Sequence, residues 1–114
     1  VIHRAHARDV CVIDVSNKTA ITNKFVIATG NTEQHLQRMA GAILYRLKQK
    51  CGEVAPGLSP KIDGGPGSQW VAVDAGSVIV HLFLEECRAH FDLEELHGEP
   101  DESNVEWLQN PETL

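Results

Sequence analysis

The feature that most restricts what this chain can fold into is a single apolar stripe. Leu36, Met39, Ala40, Ile43, Leu44 and Leu47 recur at spacings of three and four, which gathers them on one side of a helix. Gln37, Arg38, Arg46, Lys48 and Lys50 fall on the other side. Its positive charges come late, where the helix dipole favours them. Asn31 is the expected N-cap, with Gln34 at capping-box distance, and Gly52 suits the C′ position. A helix with one apolar side must be covered, so the rest of the chain has to supply the layer it packs on.

That layer is a sheet of short strands. Residues 10–15 are β-branched and nearly all apolar, the mark of a buried strand. Ser16-Asn17-Lys18 supplies turn chemistry, and residues 25–29 form a second strand ended by Gly30. Residues 53–68 are rich in Gly and Pro and read as a long loop. The apolar runs 70–73 and 78–84, joined by Asp74-Ala75-Gly76, predict a hairpin. Residues 85–96 read as one helix with an acidic polar face, and a helical remnant is expected before Asp9. The fold class is therefore α/β, a small mixed sheet of four or five strands packed with helices. With 114 residues, 42% of them hydrophobic, one core and one domain are expected. The domain spans 1–98 and an acidic tail 99–114 follows, with Trp107 and Leu108 as its main apolar anchors.

Charge is distributed unevenly. Residues 1–50 hold eight Lys/Arg against three Asp/Glu, a balance of +5, whereas residues 51–114 hold two against thirteen, a balance of −11. An acidic half repels phosphate and attracts basic protein surfaces, so little direct RNA contact is expected. No apolar run approaches the roughly 20 residues that span a bilayer, and no membrane partner is expected. The three cysteines, Cys11, Cys51 and Cys87, are odd in number and far apart, which suits a reducing compartment rather than a disulfide framework.

Catalytic machinery is hard to find. Gly30 and Gly41 do not make a phosphate loop, and Gly64, Gly65 and Gly67 lead into a strand rather than a helix N-terminus. His3 and His6 lack two further zinc ligands. Cys87 and His90 lie one helical turn apart but have no orienting group or oxyanion site. His81 shares a strand face with Ile79 and Phe83 by period two, the usual setting of a core or interface histidine. Asp74 suits the turn it precedes, and Arg88 has Glu85 or Asp92 as partners at helical spacing. Trp70, leading a strand beside a long loop, suits either a sheet cap or an interface anchor.

The stretch Trp70-Val-Ala-Val-Asp74-Ala-Gly76-Ser-Val-Ile-Val-His81-Leu-Phe-Leu-Glu-Glu86-Cys-Arg88-Ala-His-Phe91-Asp92-Leu93-Glu94-Glu-Leu96 resembles the signature of the RsfS/Iojap family. Asp14-Val15, Thr22, residues 25–30 and His35 match its preceding block. The resemblance covers about residues 9–96. It implies a nucleotidyltransferase-like α/β fold without an active site, no cofactor, no metal and no catalytic residue. It also implies a silencing factor that binds the large ribosomal subunit at its fourteenth protein and sterically blocks joining of the small subunit. The partner-binding residues it suggests are Trp70, Asp74, His81, Arg88 and Phe91. The alternative is a divergent nucleotidyltransferase-like enzyme, which would need two convergent carboxylates. His90-Phe91 replaces the family's usual aromatic pair, His97 follows Leu96, the loop before Trp70 is long and the tail is extra. These departures resemble organellar branches, so the mitochondrial matrix is the expected site, with the chloroplast and bacterial cytoplasm as alternatives. Mitochondrial relatives resemble part of a module with an LYR-motif protein and an acyl carrier protein, which leaves those partners open here.

Overall fold

The computed structural model describes residues 8–18, 22–51, 60–98 and 103–108. The expected remnant before Asp9, Gly52 and residues 53–59 lie outside them. The elements are β1 (Arg8–Asp14), β2 (Lys24–Gly30), α1 (Glu33–Cys51), β3 (Lys61–Asp63), β4 (Trp70–Asp74), β5 (Val78–Leu84), α2 (Glu85–Phe91), α3 (Leu93–His97) and β6 (Val105–Trp107). They build one mixed six-stranded sheet of order β3-β4-β5-β2-β1-β6. Among the described strands only β2 and β5 pair in parallel, Lys24 opposite Val78 through Gly30 opposite Leu84. A parallel pair needs a crossover, and α1 lies on it.

Alternation along the strands assigns the two faces. Val71, Val73, Val80, Leu82, Ala28 and Val10 pack with Leu36, Met39, Ala40 and Ile43 of α1, so the apolar stripe is the covering expected of it. On the other face, Cys11, Ile13, Val15, Ile27 and Phe83 meet Leu93, with Phe25, Trp70, Cys87 and Val105 partly buried around them. α1 begins one residue later than its expected cap. Thr32, not Asn31, caps it, its Oγ1 accepting from the His35 amide at 3.0 Å. The His35 ring in turn accepts from the Asn31 amide at 2.9 Å, one residue before the amide that a capping-box Glu or Gln would take.

Three expectations change. The Gly/Pro-rich stretch is not all loop, because β3 pairs with β4 as an edge strand. The turn between them is held to α1 by Gln37, whose Nε2 donates to the carbonyls of Gly64 and Gly65 at 3.2 and 2.7 Å. Gly64 has φ +107°, and a β-carbon there would lie 2.9 Å from the Trp70 carbonyl oxygen, so a side chain is disfavoured on both counts. The helix expected over 85–96 is two helices, because Asp92 adopts the left-handed conformation and its amide closes α2 on the Arg88 carbonyl. Aspartate tolerates that conformation better than most residues. Finally, β6 lies within the stretch read as an acidic tail and pairs antiparallel with β1.

Asn104 anchors that last strand. Its Nδ2 donates to the carbonyls of Asp14 and His97 at 3.0 and 2.9 Å, tying β1, α3 and β6 together. Asn104→Ala should cost about 1–2 kcal/mol. The Asp14 and Leu108 amides, which bond to Asn104 and Val10 carbonyls, should then exchange faster than those of α1. Unchanged exchange at both amides would show that β6 is held by something else.

Candidate functional site

β4 and β5 present Trp70, Ala72 and Asp74 and then Ile79, His81 and Phe83 to the face opposite α1. The short helices α2 and α3 cover only part of that face. What they leave open is a groove of about 460 Å³ lined by Asp63, Gly64, Trp70, Ala72, Asp74, Ile79 and His81. Period-two alternation could have nominated Ala72 and Ile79, but Asp63 was hidden by the unrecognised strand β3.

Trp70 is the hub of the groove. Its ring is half-buried, stacks on Phe83 at 4.8 Å and touches Phe91 at 4.7 Å. Its indole N–H donates to Nδ1 of His81 at 3.0 Å, so the His81 proton resides on Nε2. Nε2 is buried without a hydrogen-bond partner. The Phe25 ring stands perpendicular to the imidazole at 4.7 Å. Burial, and secondarily the neighbouring His97, push the His81 pKa down to about 4. The ring is neutral at physiological pH and serves as an acceptor that fixes the indole.

The expected partner-binding residues thus divide. Trp70, His81 and Phe91 form one aromatic cluster, and Phe91 is 43% exposed. Asp74 is exposed at the far end of β4, where its Oδ1 accepts from the Gly76 amide at 2.9 Å, and Lys61 stands across from it in the ladder. Arg88 is elsewhere, only 8% exposed. Its partner is neither Glu85 nor Asp92. Nε donates to Glu94 at 2.6 Å and Nη1 to the Thr29 hydroxyl at 2.8 Å, while Trp107 lies over the guanidinium at 5.7 Å. The break at Asp92 is what turns Glu94 towards Arg88.

Among the described residues, reactive groups do not converge. Burial pushes the Cys11 thiol up to about 11 despite nearby Arg88, and burial also raises Cys87, so both stay protonated. Asp63 and Asp74 line the groove two rungs apart, a diagonal of roughly 7–8 Å between α-carbons. Among the described residues no group of three His, Cys, Asp or Glu could hold a metal ion. The groove offers apolar area, carboxylates at its rim and a fixed indole, which is the equipment of a binding surface.

A family model described as ribosomal silencing factor during starvation matches residues 1–113. The chain belongs to the ribosomal silencing factor family. A ribosomal silencing factor of Zymomonas mobilis is 36% identical over 98 residues, 86% of this chain and 70% of that protein. The mouse mitochondrial assembly of ribosomal large subunit protein 1 is 35% identical over 83% of this chain but only 41% of its own length. An Iojap-related mitochondrial protein of Arabidopsis thaliana is 37% identical over 79% of this chain and 48% of its own length. The chain therefore spans less than half of these two mitochondrial relatives. A crystal structure of a Chromobacterium violaceum protein superposes with a TM-score of 0.74 at 27% identity, covering 84% of this chain and 76% of that one.

Two measurements check this anatomy. Arg88→Ala leaves Glu94 buried without its cation, and should cost about 3 kcal/mol. That is the low end for a buried pair, because Glu94 retains 19% side-chain exposure. Arg88→Met with Glu94→Met should recover much of the loss, and equal destabilisation of both variants would refute the pairing. For His81, the folded pKa lies below the unfolded value of about 6.5. Unfolded chains therefore bind more protons as pH falls, and stability should drop between about pH 6.5 and 4 by up to about 1.4 kcal/mol per unit. Urea midpoints of His81→Gln should fall less steeply there than those of the unaltered chain. Parallel curves would place His81 in water.

Proposed function

We propose that this chain silences ribosomes by docking on the large subunit, mainly on its fourteenth large-subunit protein, and excluding the small subunit by its bulk. The observation that carries the reading is the rigid aromatic cluster at the end of the groove. A Trp that is stacked, hydrogen-bonded and partly exposed loses little entropy on binding, and such anchors concentrate affinity. Phe91 extends the cluster outward, and exposed Glu85 and Glu86 on α2 add to the negative balance of the second half. A basic protein surface complements that charge. His81 and Arg88 act from beneath, one orienting Trp70 and the other fixing α2 and α3.

Exclusion by bulk needs occupancy and no chemistry, which agrees with the scattered reactive groups. The mitochondrial matrix is the proposed compartment, in line with the mouse and Arabidopsis relatives; the Zymomonas relative favours a bacterial cytoplasm instead. In mitochondria an LYR-motif protein and an acyl carrier protein would be companions of the same complex.

The test uses purified subunits. The factor should co-sediment with free large subunits and slow joining in proportion to its occupancy, and raised salt should weaken it. Phe91→Ala and Asp74→Lys should each cost about 1–2 kcal/mol of binding to chains that remain folded. A separate stability loss of about 1 kcal/mol follows from the lost Trp70 contact or the lost Gly76 hydrogen bond. Saturating occupancy without slower joining would refute silencing, and unimpaired binding by both variants would refute the groove.

A further inference from the structure

The outward side of α1 carries an arrangement that packing does not explain. Arg38, Gly41, Tyr45 and Arg46 are all exposed, Tyr45 to 64%. After Glu33, α1 contains no acidic residue. Neither arginine has an ion-pair or hydrogen-bond partner among the described residues. Gly41 is the second observation. A β-carbon built there would meet nothing within 4 Å, so neither helix nor sheet requires the glycine. Glycine inside a helix is nonetheless unfavourable relative to alanine. A bare notch between Arg38 and Tyr45, kept at a cost in stability and useless to the core, fits something that approaches from outside.

We propose that this face of α1 is a second docking surface, and that it takes the phosphodiester backbone of ribosomal RNA. Arg46 lies eight positions after Arg38, about 12 Å along the helix axis, enough for the two guanidiniums to meet separate phosphates. An acidic protein surface would also use the arginines and the ring, and ultraviolet crosslinking separates it from RNA. RNA supplies both, phosphates for the arginines and a base or ribose face for Tyr45. Gly41 lets the sugar-phosphate chain sit close to the helix. The expectation of little RNA contact is thereby restricted to the acidic face. This inference rests on the large-subunit reading for its location, since that subunit supplies the RNA.

Binding of the full chain to purified large subunits, measured across a salt series, tests it. Arg38→Gln with Arg46→Gln should reduce the slope of log affinity against log salt by about 1.4–1.8, the effect of two lost phosphate contacts. Tyr45→Ala should weaken binding with the slope kept. Gly41→Ala should raise the melting temperature of the free chain by roughly 4–8 °C, and Gly41→Leu should bind subunits at least tenfold more weakly although it folds. Ultraviolet crosslinking of the bound, unaltered chain should leave a nucleotide on the peptide containing Tyr45. An unchanged salt slope overturns the proposal, as does a crosslink from that peptide to a ribosomal protein. If Phe91→Ala and Asp74→Lys bind weakly while the arginine variant keeps its slope, the α1 proposal fails and the groove stands. If the slope falls while both groove variants bind normally, the groove fails and α1 stands.

Discussion

The rest of this fold depends on β5 being apolar on both faces. Val80 and Leu82 pack towards α1 and Phe83 lies in the opposite cluster, each at most 8% exposed. A strand of this kind needs cover on two sides. Its parallel pairing with β2 routes the chain through a crossover, and α1 then covers one face. The other face is covered by the segment that follows β5 directly. That segment is short, so the cover is partial, and the groove beside Trp70 is the part left open. The groove is a consequence of incomplete burial.

Polar groups on the covered face are few and held firmly. Arg88 bonds to Glu94 on α3 and to Thr29 on β2, joining both short helices to the sheet where apolar area alone is limited. His81 does the same for Trp70 through its ring nitrogen. Such groups specify one arrangement of neighbours, since a partner lost in the interior leaves an expensive orphan. They hold the platform in shape without reaching the surface themselves.

The charge asymmetry along the chain becomes an asymmetry in space. α1 and the α2–α3 pair cover opposite faces of the same sheet, so exposed Arg38 and Arg46 on one side and exposed Glu85 and Glu86 on the other turn outward in different directions. A domain arranged this way can meet basic protein on one side and phosphate on the other. A uniform net charge of −6 conceals that polarity.

The amino-acid sequence by itself determined the parts whose burial is periodic. The stripe on α1, the β4–β5 hairpin and the mixed sheet were all legible, because alternation at 3.6 or 2 residues records which side of an element is covered. The family was legible too, from two blocks of residues in order. Tertiary structure alone decided β3 and β6, three-residue edge strands that are mostly exposed and carry no periodic signal. It also decided that Arg88 pairs with Glu94, six residues on, because a left-handed Asp92 reverses the chain between them. Trp70 was legible as a candidate, but its hydrogen bond to His81 crosses from one strand to the next. Local pattern encodes how much of a residue is buried. Which group it meets there depends on chain that returns from far away.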